Sequence, residues 1–192
     1  MTERVRYPLT LFLIIPLLTG CLPMFTIGTA AGTGAYISED RRTSGMFIED
    51  ESIELKSSRR IYQQFGNSVH INITSFNRIV LLTGEASTAT AKADIEKLIM
   101  GVDNVRRIHN EIAVAGNSSL ASRSNDTYIT SKVKARFLAE RKFQINHVKI
   151  VTENGIVYLL GMVTHQEAEN AANIASSTAG VRKVVKVFEY LN

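Results

Sequence analysis

The chain holds a single cysteine, Cys21, and its neighbours say more about its use than its thiol does. A thiolate can act as nucleophile or metal ligand, but no histidine adjoins Cys21 and no second cysteine exists to form a disulfide. Instead Arg4 and Arg6 precede an apolar run from Leu9 to Leu18, and Thr19 and Gly20 lead into the cysteine. About ten apolar residues are too few to span a ~30 Å hydrocarbon core as a helix. A basic start with a short apolar stretch reads as a secretory signal. Cys21 thus belongs to export rather than redox chemistry. Other reactive constellations are missing from the pattern. His70, His109, His147 and His165 show no i, i+4 pair of the kind a helical metal site uses. Serine, histidine and aspartate occur without a nucleophile elbow. Glu49-Asp50-Glu51 is expected just before a helix start, where the macrodipole favours acids. The Gly-rich stretch Ile27–Ala35 lacks the Gly-Lys-Ser/Thr ending of a phosphate loop. No catalytic residue, metal or cofactor is expected, and the chain reads as non-enzymatic.

A second constellation is a helix face. At about 100° per residue, Ile129, Val133 and Phe137 form one stripe between Thr127 and Lys142, suited to packing on a sheet. The opposite face carries Tyr128, Ser131, Lys132, Ala135, Leu138, Ala139 and Lys142. Lys134, Arg136 and Arg141 flank it, and it holds no acid. Interfacial helices mix these types: Tyr and Leu settle at the headgroup boundary while Lys meets anionic phosphate.

The elements that must position this face come from an internal duplication. Arg78-Ile79-Val80-Leu81-Leu82-Thr83-Gly84 matches Gly155-Ile156-Val157-Tyr158-Leu159-Leu160-Gly161. Each copy continues into an Ala-rich stretch and then Gly-Val-x-x-Val, from Gly101 and from Gly180. Upstream, Ile53 and Ile61 align with Ile129 and Phe137. The units span 47–115 and 123–191. In the second, Asn125-Asp126-Thr127 supplies an N-cap for the first helix. A strand from His147 to Thr152 turns at Asn154-Gly155 into a strand from Ile156 that Gly161 ends. A helix from His165 to Ser177 and a strand from Val184 to Tyr190 follow. The fold class is α+β: two tandem αββαβ units, each a three-stranded mixed sheet covered by two helices. In the first copy Asn77-Arg78 replaces the Asn-Gly turn and Ser57 replaces Val133, so its first helix is expected to be shorter or less well packed. Glu49-Asp50-Glu51 before that helix and Glu54 on it would repel an anionic surface.

Two resemblances now bear on function. Leu18-Thr19-Gly20-Cys21 resembles the lipobox of bacterial lipoproteins, which implies a signal peptide over 1–20, acylation at Cys21 and a lipidated tether over 21–46. Leu22 rather than Asp after the cysteine implies, by resemblance to enterobacterial sorting, the outer membrane facing the periplasm, with surface exposure left open. The pattern from Asn154 to Gly161 with Gly180-Val181-x-x-Val184 resembles the BON domain, over both units. A lipobox followed by two such units is similar to outer-membrane lipoproteins with two BON domains, and Ser124–Lys134 is similar to the start of their second domain. That resemblance implies phospholipid binding, upkeep of the outer membrane, and membrane contact by the first helix of the second domain. The lipid-binding residues expected there are Tyr128, Ser131, Lys132, Lys134, Ala135, Leu138 and Lys142.

Charge agrees with an anionic partner. The formal net charge is +4, and residues 117–192 hold 10 Lys/Arg against 6 Asp/Glu, whereas 21–116 hold 10 against 11. Basic residues without interleaved aromatics in an exported chain argue against nucleic acid, and none is expected as a partner. The expected partner is an anionic phospholipid membrane. The competing reading is a lipid-tethered adaptor that docks on envelope assembly or division proteins.

Overall fold

The structure is a computed structural model that describes residues 40–116 and 118–191. Cys21, the signal segment and most of the tether lie outside the described residues.

The first unit begins with helix α1 (Ser44–Phe65). The hairpin β1 (His70–Phe76) and β2 (Ile79–Ala86) follows. Then come α2 (Ala89–Met100), β3 (Arg107–Asn110) and β4 (Ala113–Val114). The second unit has α3 (Leu120–Glu140), a 3-10 turn at Ile145–His147, β5 (Val148–Glu153), β6 (Ile156–Val163), α4 (His165–Ser176) and β7 (Lys183–Tyr190). The hairpins are antiparallel, and the strand after each second helix joins the central strand in parallel. Both sheets are therefore mixed and both units have the expected αββαβ order. The second sheet has three strands; the first has four. Its edge is interrupted at Glu111–Ile112, yet β3 and β4 keep one register on β2, Leu82 opposite Asn110 and Glu85 opposite Ala113.

Several local expectations are corrected. Gly161 does not end a strand: it pairs with Val148 and Phe188 in the middle of the sheet. A Cβ there would lie 2.2 Å from the His147 carbonyl oxygen, and at Gly84 2.0 Å from that of His70. The repeated glycine thus permits close backbone approach. Helix α1 is not shorter than its counterpart, at 22 residues against 21, and it takes in Ser44–Met46 from the stretch read as tether. Its weak point is Ser57, fully buried with a hydroxyl that has no hydrogen-bond partner. Glu49-Asp50-Glu51 lies inside α1, whose N-cap is Thr43. The N-cap of α3 is Ser119, so Asn125 and Asp126 are interior helix residues.

The two sheets meet face to face. On β2, Val80, Leu82 and Ala86 pack under the helices of their own unit, whereas Ile79 and Leu81 point to the other side. There they join Phe76, Tyr158, Leu160 and Val187 in a shared core. Val157, Leu159 and Val163 of β6 pack under α3 and α4. Burying such side chains is worth about 1.5–3 kcal/mol each. Polar links flank this seam: Asn72 Nδ2 donates to Glu153 at 2.8 Å, Arg106 to Glu189 at 2.7 Å, Lys149 Nζ to Glu54 at 3.0 Å and Asn154 Nδ2 to Glu85 at 3.1 Å. Burial pushes the Glu153 carboxyl up; the Asn72 hydrogen bond opposes this, and the charges of Glu85 and Asp126 add to it.

Candidate functional site

Helix α3 is held by its buried stripe. Ile129, Val133 and Phe137 are at most 1% exposed and pack against β5, β6 and α4. Asp126 fixes the helix to the hairpin turn: its carboxylate accepts the Asn154 N–H at 2.8 Å and the Gly155 N–H at 2.7 Å. Asp50 does the same in the first unit, accepting from the N–H groups of Asn77 and Arg78 at 2.8 Å each and from the Ser75 hydroxyl at 2.7 Å. Local sequence pattern does not assign these two acids this role. The available signal was their separation of 76 residues, the same as that from Ile53 to Ile129.

The other side of α3 faces away from the seam. Tyr128 is 62% and Leu138 58% exposed, and Ser131, Lys134, Ala135 and Ala139 are exposed between and beside them. Lys132 is half-buried. Its ammonium donates to the Ala179 carbonyl and sits 4.5 Å from the centre of the Tyr128 ring, a cation–π contact that fixes the ring. Lys142 is exposed but beyond the helix, which stops at Glu140 because Arg141 turns into the left-handed region. Arg136 does not flank the face as a free cation. It donates to the Ile174 carbonyl at 3.0 Å and to the Ser177 and Thr178 hydroxyls, tying α3 to the end of α4, and it pairs with Glu140 at 2.8 Å. Among the described residues, Lys134, Arg141 and Lys142 keep their charges unpaired. The structure therefore brings Tyr128, Ser131, Lys132, Lys134, Ala135 and Leu138 onto one surface and sets Lys142 at its end.

Of the four acids on α1, Glu51 stays exposed at the surface and the other three are engaged. Asp50 is consumed at the hairpin turn, Glu54 accepts from the Ser75 N–H at 2.7 Å and from Lys149, and Glu49 accepts from Asn104 at 2.9 Å. Ile48, Leu55 and Tyr62, seven residues apart, are 68%, 53% and 67% exposed.

The family model for the BON domain matches twice, at 50–116 and at 125–192. The chain belongs to the BON-domain family. It is 36% identical to Outer membrane lipoprotein DolP of Haemophilus influenzae, over 91% of each chain. The 21 kDa hemolysin of Actinobacillus pleuropneumoniae is 33% identical over 79% of each chain. Osmotically-inducible protein Y of Escherichia coli K12 is 27% identical over 81% of this chain and 80% of its own. The DolP similarity places this BON protein among lipid-anchored outer-membrane lipoproteins. Among the described residues no helix is long and apolar enough to cross a membrane, and no group of three or more His, Cys, Asp or Glu is arranged to hold a metal ion.

Proposed function

We propose that this lipoprotein is a non-enzymatic, periplasm-facing module that lays the exposed face of α3 on anionic phospholipid and so helps keep the outer membrane intact. The observation that carries the reading is that face itself. An aromatic and a leucine project to solvent beside lysines, with no acid among them, on a helix whose other side is anchored in the core. Each basic residue at an anionic bilayer contributes about 1 kcal/mol. An acyl anchor at Cys21 would raise the local concentration, so weak contacts suffice. The test is flotation with phosphatidylglycerol vesicles of the chain from residue 21 carrying Cys21→Ser, which removes the anchor. Tyr128→Glu with Leu138→Glu is expected to abolish flotation. Unchanged flotation would rule out α3 as the contact.

A second reading, a lipid-tethered adaptor for envelope proteins, is favoured by one feature, the exposed Ile48, Leu55 and Tyr62 stripe on α1. In that case Leu55→Glu would release a bound envelope protein while vesicle binding persists.

A further inference from the structure

At the C-terminal end of α3 a cavity of about 550 Å³ opens between Phe137, Leu138, Arg141, Lys142, Phe143 and Ile145. Part of its inner wall is apolar, where Phe137 and Phe143 meet edge to face at 4.9 Å with Leu138 and Ile145 beside them, and Gln144 and Glu167 add polar surface. Its mouth is cationic. Arg141 and Lys142 are exposed, and neither side chain is hydrogen-bonded within the described residues. The one acid in the lining, Glu167, is already engaged. It accepts two hydrogen bonds from Arg41, at 2.7 and 2.9 Å, another from the Thr164 N–H at 2.8 Å, and faces His147 Nδ1 at 3.1 Å. Its charge is thus neutralised from inside and does not oppose an anion at the mouth.

The backbone adds an independent observation. Arg141 adopts φ 48° and ψ 32°, the left-handed region that glycine enters most readily after a helix. The corresponding cap of α1 is a glycine, Gly66, also at positive φ. Gly66 differs in ψ, at −127°, so the two caps are not the same conformation, and the second unit places a cation at its helix end.

We infer that this cavity binds a single anionic phospholipid molecule, its phosphate between Arg141 and Lys142 and the first part of an acyl chain against Phe143 and Ile145. The inference rests on the membrane-contact reading of α3 and deepens it: the helix face meets the bilayer surface while the cavity takes one lipid out of it. Apolar walls beneath a cationic rim fit a lipid better than a free phosphate, which would gain nothing from Phe143.

The experiment uses the chain from residue 21 with Cys21→Ser and dihexanoyl phosphatidylglycerol held below its micelle concentration. Backbone amide shifts at Phe143–Ile145 report binding. Saturable one-to-one binding is expected, with glycerophosphoglycerol, the headgroup alone, at least tenfold weaker. Lys142→Glu is expected to weaken lipid binding about tenfold or more, because it sets a like charge beside the phosphate. Arg141→Gly is expected to weaken it severalfold while the melting temperature stays the same or rises. Absent or non-saturable binding of the monomeric lipid overturns the proposal, as does equal binding of the headgroup alone or full binding by Lys142→Glu. Unchanged binding in Arg141→Gly, whatever its melting temperature, makes that residue a helix cap only and overturns its role. If the monomer fails to bind while vesicle flotation still depends on Tyr128, the cavity falls and the membrane-contact reading stands. If flotation is indifferent to Tyr128→Glu, that reading falls as well.

Discussion

At the scale of single residues, the two buried aspartates decide how each helix meets its hairpin. A two-residue turn with positive φ at both positions, Asn77-Arg78 and Asn154-Gly155, aims two adjacent N–H groups inward. Buried N–H groups without partners are costly, and a carboxylate can accept both at once with charge-assisted strength. Asp126 is only 5% exposed and does this alone, whereas Asp50 also accepts from Ser75 and from Arg42 at 3.0 Å. Asp126→Ala is expected to cost about 2–4 kcal/mol, since two amides lose their acceptor, and Asp50→Ala more. Urea unfolding of the two variants measures both values. Equal, sub-kcal/mol losses would show that water replaces the carboxylates.

At the scale of elements, α4 depends on its first turn. Thr164 and Glu167 form a reciprocal capping box, and Glu167 also holds Arg41 and faces His147. Burial alone would raise the Glu167 carboxyl. The hydrogen bonds from Arg41, the Thr164 N–H and His147, with the Arg41 charge, outweigh it and bring the value down to about 2. A carboxyl depressed in the folded state stabilises fully above its unfolded value, about 4.3, and that contribution is lost as pH falls toward 2. Thermal melting between pH 6 and pH 2.5 is expected to show the midpoint of the parent dropping below about pH 4.5. Glu167→Gln should start lower and drop less over the same window. Parallel curves for the two proteins would remove Glu167 as the source of the acid sensitivity.

At the scale of the whole described structure, the seam makes two small units into one. A unit of 65–70 residues has a marginal core by itself. Here each sheet covers the outer face of the other, and the central strands β2 and β6 are apolar on both sides. Leu160, fully buried at the seam, reports on this coupling. Leu160→Ala is expected to cost about 3 kcal/mol through lost contact and the cavity left behind. Amide hydrogen exchange should show protection falling on β2 of the first unit as well as on β6. Loss confined to β6 would mean that the units are stable without each other.

Local pattern was enough for much of this. The duplication, the element order, the buried stripe of α3 and the exposed position of Tyr128 and Leu138 all follow from periodicities of 2 and 3.6 residues, which short-range geometry imposes on any chain. The runs Ile79–Leu82 and Ile156–Leu160 also hold a signal for the docking of the two units. Apolar residues on consecutive positions of a strand demand cover on both faces, and the second cover is the other unit. What only the tertiary structure decided is which polar groups are spent inside. Asp50, Glu54, Arg136 and Lys132 look like free surface charges along a helix, but partners 21 to 95 residues away accept or donate to them. Nor does helical spacing foretell the left-handed turn at Arg141, which moves Lys142 off the helix face to the rim of a cavity. Pairing across such separations depends on where the sheets dock, and docking is a sum over many weak contacts that no short window of residues contains.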